Sequence, residues 1–157
     1  MPDDLYERDI LIWSEHQADL LRRVARGELV NGVDWEHVVE EIEDVGSSQL
    51  NAVGSDLRQI IVHLLKIHGW PDRAAVEHWR DEIGNFQDEA EQRYVPSMRQ
   101  RLDLNRAYGR ARRRVMRMTI DGQGPRAVPE TCPFTIEHLL TELPPALEAI
   151  LAAPSVA

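Results

Sequence analysis

This chain of 157 residues has little of what would staple, span or pleat a protein. Its one cysteine, Cys132, excludes an intrachain disulfide, and it cannot supply the several thiolates of a structural zinc site. No apolar run approaches the ~20 residues that a bilayer span requires. The longest, Ile60–Ile67, is interrupted by His63 and Lys66. Sustained period-two alternation is missing, and so are Asn-Gly or Asp-Gly turns between β-branched runs, which removes the usual signals for strands. There is no Gly-x-Gly-x-x-Gly, no Gly-x-x-x-x-Gly-Lys and no Gly-x-Ser-x-Gly, so phosphate-loop and hydrolase readings have no foothold. The opening Met1-Pro-Asp-Asp is acidic where a signal peptide needs a basic start, and the expected compartment is the cytoplasm, with no membrane partner.

Charge is abundant and one-sided. Eighteen basic residues face 27 acidic ones, a net −9 that disfavours general attraction to nucleic acid or anionic membrane. Among the basic residues only Lys66 is lysine; the rest are arginine, the better fork-shaped binder of anions. Hydrophobic content of 43% with 29% charged residues lies in the globular range.

What the sequence does carry is helical periodicity. Ile10, Trp13, Gln17, Leu20 and Val24 step by three or four, and Gly27 supplies a stop. Asp34 suits the N-cap of a second helix whose apolar face is Trp35, Val38, Val39, Ile42 and Val45. Gly46-Ser-Ser48 resembles a break, yet the apolar phase continues through Val53, Leu57, Ile60, Ile61, Leu64 and His68. Either one long helix runs from 35 to 68 or two helices meet at Gly46; the unbroken phase favours the long one. Ile60–Ile67 is apolar almost all round, the mark of a helix at the centre of a bundle. Gly69-Trp-Pro71 ends it. A further helix is expected from near Asp72 with Val76, Trp79, Ile83, Phe86 and Ala90 inward, and Pro96 breaks that one. Asp103 caps a helix with the stripe Leu104, Tyr108, Ala111, Val115 and Met118, and after a loop over 121–133 Thr135 caps a short one, Ile136–Leu143. The four Trp residues, 13, 35, 70 and 79, fall mostly on predicted apolar faces as core anchors. The expected fold is therefore all-α: one helical domain over 1–144, a bundle of five to six helices around a long central one, with 145–157 as a frayed tail.

Two charged stripes stand out. Residues 99–117 hold eight Arg against one acid, Asp103. At 100° per residue, Arg106, Arg110, Arg113 and Arg117 line up roughly opposite the apolar stripe, as a strip for phosphates or an acidic protein surface. The plainer reading is a solvated face. Residues 28–44 hold seven acids and no Lys or Arg; there Glu40, Glu41 and Asp44 lie opposite the apolar face, an acidic patch that invites a cationic partner.

Reactive constellations are sparse. Bundles that hold iron or manganese use Glu-x-x-His helices, and here only Asp34/His37 has carboxylate-to-His spacing, which an N-cap explains equally well. His63 on the central helix is the best remaining metal-ligand candidate, and a hydrogen-bonding role is the plainer one. Cys132 precedes a helix start, where a thiolate gains stability, but no base adjoins it in sequence. No catalytic residue, resident metal or cofactor is assigned.

Several of these residues together resemble a bacterial family, domain of unknown function 29. They are Trp13, Gln17 and Leu20-Leu21; Asp34-Trp-Glu36 running into Glu40-Glu-Ile-Glu-Asp-Val-Gly46; His63-Leu-Leu-Lys66; Trp79; Ala107-Tyr108 and Ala111-Arg112; and Pro129-x-x-Cys132-Pro-Phe-Thr135. The resemblance covers about 4–144 and departs at Ile67-His68, where the family often has an aromatic residue. It implies an all-helical fold and carries over no activity, cofactor or site residue. Three functional readings follow, in order: a non-catalytic protein-interaction module of adaptor or antitoxin-like kind, binding itself or another chain; a nucleic-acid-binding regulator using the Arg strip; and a metal-dependent enzyme built on His63.

Overall fold

In the computed structural model of the chain, residues 5–154 are described. They form seven α-helices and no strand; a lone antiparallel bridge joins Ile120 to Gln123 within a turn. The helices are α1 (Leu5–Arg8), α2 (Ile10–Ala25), α3 (Trp35–Gly69), α4 (Val76–Arg93), α5 (Leu104–Met116), α6 (Ile136–Thr141) and α7 (Pro144–Ala152), with a 3₁₀ turn at Pro96–Met98. None among the described residues is long and apolar enough to cross a membrane. The chain parts into two compact units, residues 1–47 and 48–157.

The long helix is continuous. α3 runs 35 residues, about 50 Å at 1.5 Å per residue, and Gly46 stands within it with helical neighbours on both sides. Glycine weakens a helix without forcing a break, and Gly46, Ser47 and Ser48 are all exposed, so nothing packs against the weak point.

In the second unit the core is built around the C-terminal part of α3. Ile60, Ile61, Leu64 and Leu65 have no solvent exposure, and Val53, Leu57 and Val62 almost none. Against them pack Trp79, Ile83 and Ala90 of α4, Tyr108, Ala111 and Val115 of α5, and Leu139 of α6. Gly69 closes α3 at a point where a Cβ would lie 2.8 Å from that of Pro125, and its carbonyl accepts from Arg126 N at 3.0 Å. Only glycine admits that approach. The indole of Trp70 then donates to Gln123 O at 3.0 Å, which fixes the loop before α6.

Of the tail expected over 145–157, residues up to 152 form a helix, and 155–157 lie outside the described residues. Pro144 and Pro145 open α7, since proline at the first helical positions loses no hydrogen bond, and Leu147 and Leu151 are buried in the core. Arg80 of α4 grips Glu148 with two bonds, 2.9 and 2.8 Å, and Gln87 Nε2 donates to Leu139 O and Glu142 O at 2.9 and 2.8 Å.

In the first unit α1, α2 and the start of α3 bury Trp13, Gln17, Leu20 and Val38. Of the apolar face expected on early α3, only Val38 is inside: Trp35 is 57%, Val39 50%, Ile42 67% and Val45 66% exposed. Ile10 and Val24 of the α2 stripe are likewise exposed. Periodicity marked a helix with an apolar face, and the described residues leave most of that face open.

Truncating Leu64 to Ala should cost roughly 2–5 kcal/mol, because it opens a cavity in a closed interior. Gly46→Ala should add about 0.5–1 kcal/mol through helix propensity, the space there being open. Urea unfolding of both variants checks the pair.

Candidate functional site

The first unit holds a polar knot centred on Asp34. Gln17, buried on α2, accepts from Asp34 N at 2.8 Å and so fixes the backbone where α3 begins. One carboxylate oxygen of Asp34, Oδ2, takes the indole N–H of Trp13 at 3.1 Å and lies 2.7 Å from His37 Nδ1; the other accepts from His37 N at 3.4 Å. Asp34 is thus both the cap of α3 and the partner of the His37 ring. Tyr6 stacks on that ring at 3.9 Å between centroids and donates its hydroxyl to Glu41 at 2.6 Å. A cleft of ≈ 700 Å³ opens beside the knot, lined by Tyr6, Trp13, His16, Gln17, Asp34 and His37 among others.

The bond between Asp34 and His37 shifts both groups apart: the imidazole is raised above 6.5 and the carboxyl, which also takes the Trp13 bond, is lowered below 3.8. Glu41, expected as part of an acidic patch with Glu40 and Asp44, is half-buried because it takes the Tyr6 hydroxyl, and that bond pushes the phenol up to about 12. Glu40 and Asp44 are exposed.

Beside these acids runs the open apolar face. Trp35, Val39 and Ile42 recur at i, i+4 and i+7, which places them in one row along α3. Glu36, Glu40 and Glu43 flank the row, all exposed.

In the second unit, α5 presents its arginines outward: Arg106, Arg110, Arg113 and Arg117 are all exposed, while Tyr108, Ala111 and Val115 face the core. Arg106 and Arg110 join Arg101 of the turn before α5, which belongs to the same Arg-rich segment but not to the expected strip, and Arg58 of α3, which sequence reasoning missed, around a groove of ≈ 420 Å³. Arg113 and Arg117 lie outside its lining. Asp103, at the groove's edge, caps α5 by accepting from Arg106 N at 3.0 Å.

The remaining candidates make hydrogen bonds within the fold. His63 Nδ1 donates to Gln59 O at 2.7 Å, its ring lies against Phe86, and burial lowers its pKa. Among the described residues no three of His, Cys, Asp and Glu stand close enough to share an ion. Cys132 is half-buried, donates to Phe134 O at 3.6 Å, and burial pushes its thiol up, away from the thiolate that its position before α6 suggests. Tyr108 donates to Pro129 O at 2.6 Å and is pushed to about 12, chiefly by burial.

Fold and surface together define an all-helical protein with an open apolar row and a basic groove. Residues 5–143 match the family model described as domain of unknown function DUF29, and the chain belongs to that family. A crystal structure of an α-helical protein of unknown function from Rhodospirillum rubrum is similar at 29% identity and a TM-score of 0.65, over 96% of this chain and 99% of that one. No curated protein matches the chain.

His37 should titrate above the ordinary histidine range, and Asp34→Asn should bring its midpoint down, as followed by proton NMR of the ring. The stabilisation tied to His37 is complete below its ordinary value near 6.5 and is lost as pH rises through the raised one; that tied to Asp34 is complete above its ordinary 3.8 and is lost as pH falls through the depressed one. Both contributions are therefore complete between about 3.8 and 6.5, and an unchanged His37 midpoint in the Asn variant would remove Asp34 as the cause.

Proposed function

We propose that this chain is a non-catalytic protein-interaction module, of adaptor or antitoxin-like kind, that receives a basic amphipathic helix of a partner protein on the first unit. The observation that carries the reading is the row Trp35, Val39 and Ile42, each at least half exposed on one line of α3. Apolar anchors at i, i+4 and i+7 are the spacing by which helices pack into each other's grooves. A row of this kind left in water is a cost without a partner, and contiguous exposed apolar surface commonly marks an interaction site.

The flanking charges select the partner. Residues 28–44 carry seven acids and no Lys or Arg, so a helix that covers the row meets Glu36, Glu40 and Glu43 along one edge and is favoured if it brings Lys or Arg there. A second copy docking by its own identical row would set those acids against their equals, which disfavours a symmetric dimer through this face. The partner is therefore a different protein, and its basic rim speeds association more than it adds affinity.

The test is affinity isolation from the native host with wild type and with the double variant V39D/I42D. Both residues are exposed, so the helix survives the change. A protein with a basic amphipathic helix should co-purify in equal amount with wild type and fall by at least about tenfold with the variant, the loss expected when buried anchors are removed from a helix interface. Wild type that elutes without a stoichiometric partner, or a variant that keeps it, overturns the reading.

A further inference from the structure

We propose that the groove between α3 and α5 in the second unit binds the phosphate groups of a nucleotide. The inference stands apart from the docking row, which lies in the other unit and on different residues.

The chain has half again as many acids as bases, so carboxylates are at hand for its arginines. Among the described residues, Arg23, Arg26, Arg73, Arg80, Arg93, Arg99 and Arg126 lie within ion-pair distance of Asp or Glu. Arg58, Arg101, Arg106 and Arg110 pair with no carboxylate among the described residues, and these four converge on one groove. With Asp103 the lining carries four positive charges and one negative, +3 in a protein of net −9. Solvation alone accounts for single unpaired arginines. It does not account for gathering four around a concavity, where each raises the cost of the next.

The chemistry of the lining narrows the ligand. Guanidinium presents paired N–H donors that match two oxygens of a phosphate, and it keeps its charge at any ordinary pH. Ser55 and Asn51 of α3 line the same groove and add a hydroxyl and an amide. Leu50 and Leu102 add apolar surface. The Arg106 amide in the first turn of α5 is taken by the Asp103 carboxylate, which also sets a negative charge at that helix end, so the affinity rests on the arginines. A volume of ≈ 420 Å³ is in the range of small-ligand sites and suits one nucleotide, free or as part of a strand.

Calorimetric titration at about 50 mM salt, where phosphate contacts are little screened, with ATP and with a six-nucleotide RNA tests the proposal. Saturable binding of either is expected. The R106Q/R110Q variant should lose at least about tenfold in affinity, the scale of two charge-assisted contacts, while R113Q/R117Q, at the C-terminal end of α5 and outside the groove, stays within about twofold. All four residues are exposed, so both variants keep the fold. ATP bound as tightly as RNA assigns a free nucleotide; RNA bound more tightly, with a steep fall in salt, assigns a strand. A measurement on wild type needs no variant: inorganic pyrophosphate should shift the side-chain amide signals of Asn51. No binding of ATP or RNA, equal losses in the two variants, or an Asn51 signal that stays still overturns the proposal.

Discussion

The second unit depends on removing the C-terminal part of α3 from water. From Ile60 to Ile67 this helix is apolar on nearly every side, and no single neighbour can cover it. Helices α4, α5 and α6 each contribute an inward stripe, and the loop before α6 is held down by Gly69 and Trp70. Burial of this kind is non-directional and scales with area, so it fixes that the helices gather; their order is then fixed by polar ties such as Arg80 with Glu148 and Gln87 with the carbonyls that end α6. Those ties are satisfied groups at the edge of a dry interior, where an unmatched one would be costly.

Much of this was legible in the sequence because caps and periodicity are local. Asp34, Asp103 and Thr135 stand where helices begin, each with its side chain on a backbone amide three residues on. The length of α3 was legible too, since its apolar phase carried through Gly46. What periodicity could not tell is whether an apolar face is covered by the same chain. Trp35, Val39, Ile42 and Val45 have the spacing of core residues and are exposed; spacing reports an amphipathic helix and is silent on its neighbours. The C-terminal residues failed in the opposite sense: Ala-rich sequence after two prolines looked like an end, and a bidentate ion pair formed with a residue 68 positions away made it a helix.

The candidate sites divide in the same way. The outward turn of the α5 arginines follows from 100° steps along one helix, but Arg58 enters the groove from α3, more than forty positions from its companions, and only the tertiary packing brings it there. Likewise the Asp34–His37 spacing was visible, while the third and fourth members of the knot, Trp13 and Tyr6, come from other helices. Local chemistry can be read along a chain; convergence cannot.

The near-exclusive use of arginine has a consequence for Lys66. It is the one side-chain amine of the chain, and it stands partly buried with its nitrogen 5.5 Å from the centre of the Trp79 ring. Burial lowers its pKa, which makes the nitrogen more nucleophilic, while the indole screens it. Among side chains, reagents that acylate or cross-link amines therefore meet one shielded target, whereas dicarbonyl reagents that condense with guanidines find many. Surface mapping of this molecule is a matter of arginine chemistry, and acylation of Lys66 would report on local opening around Trp79 rather than on the outer surface.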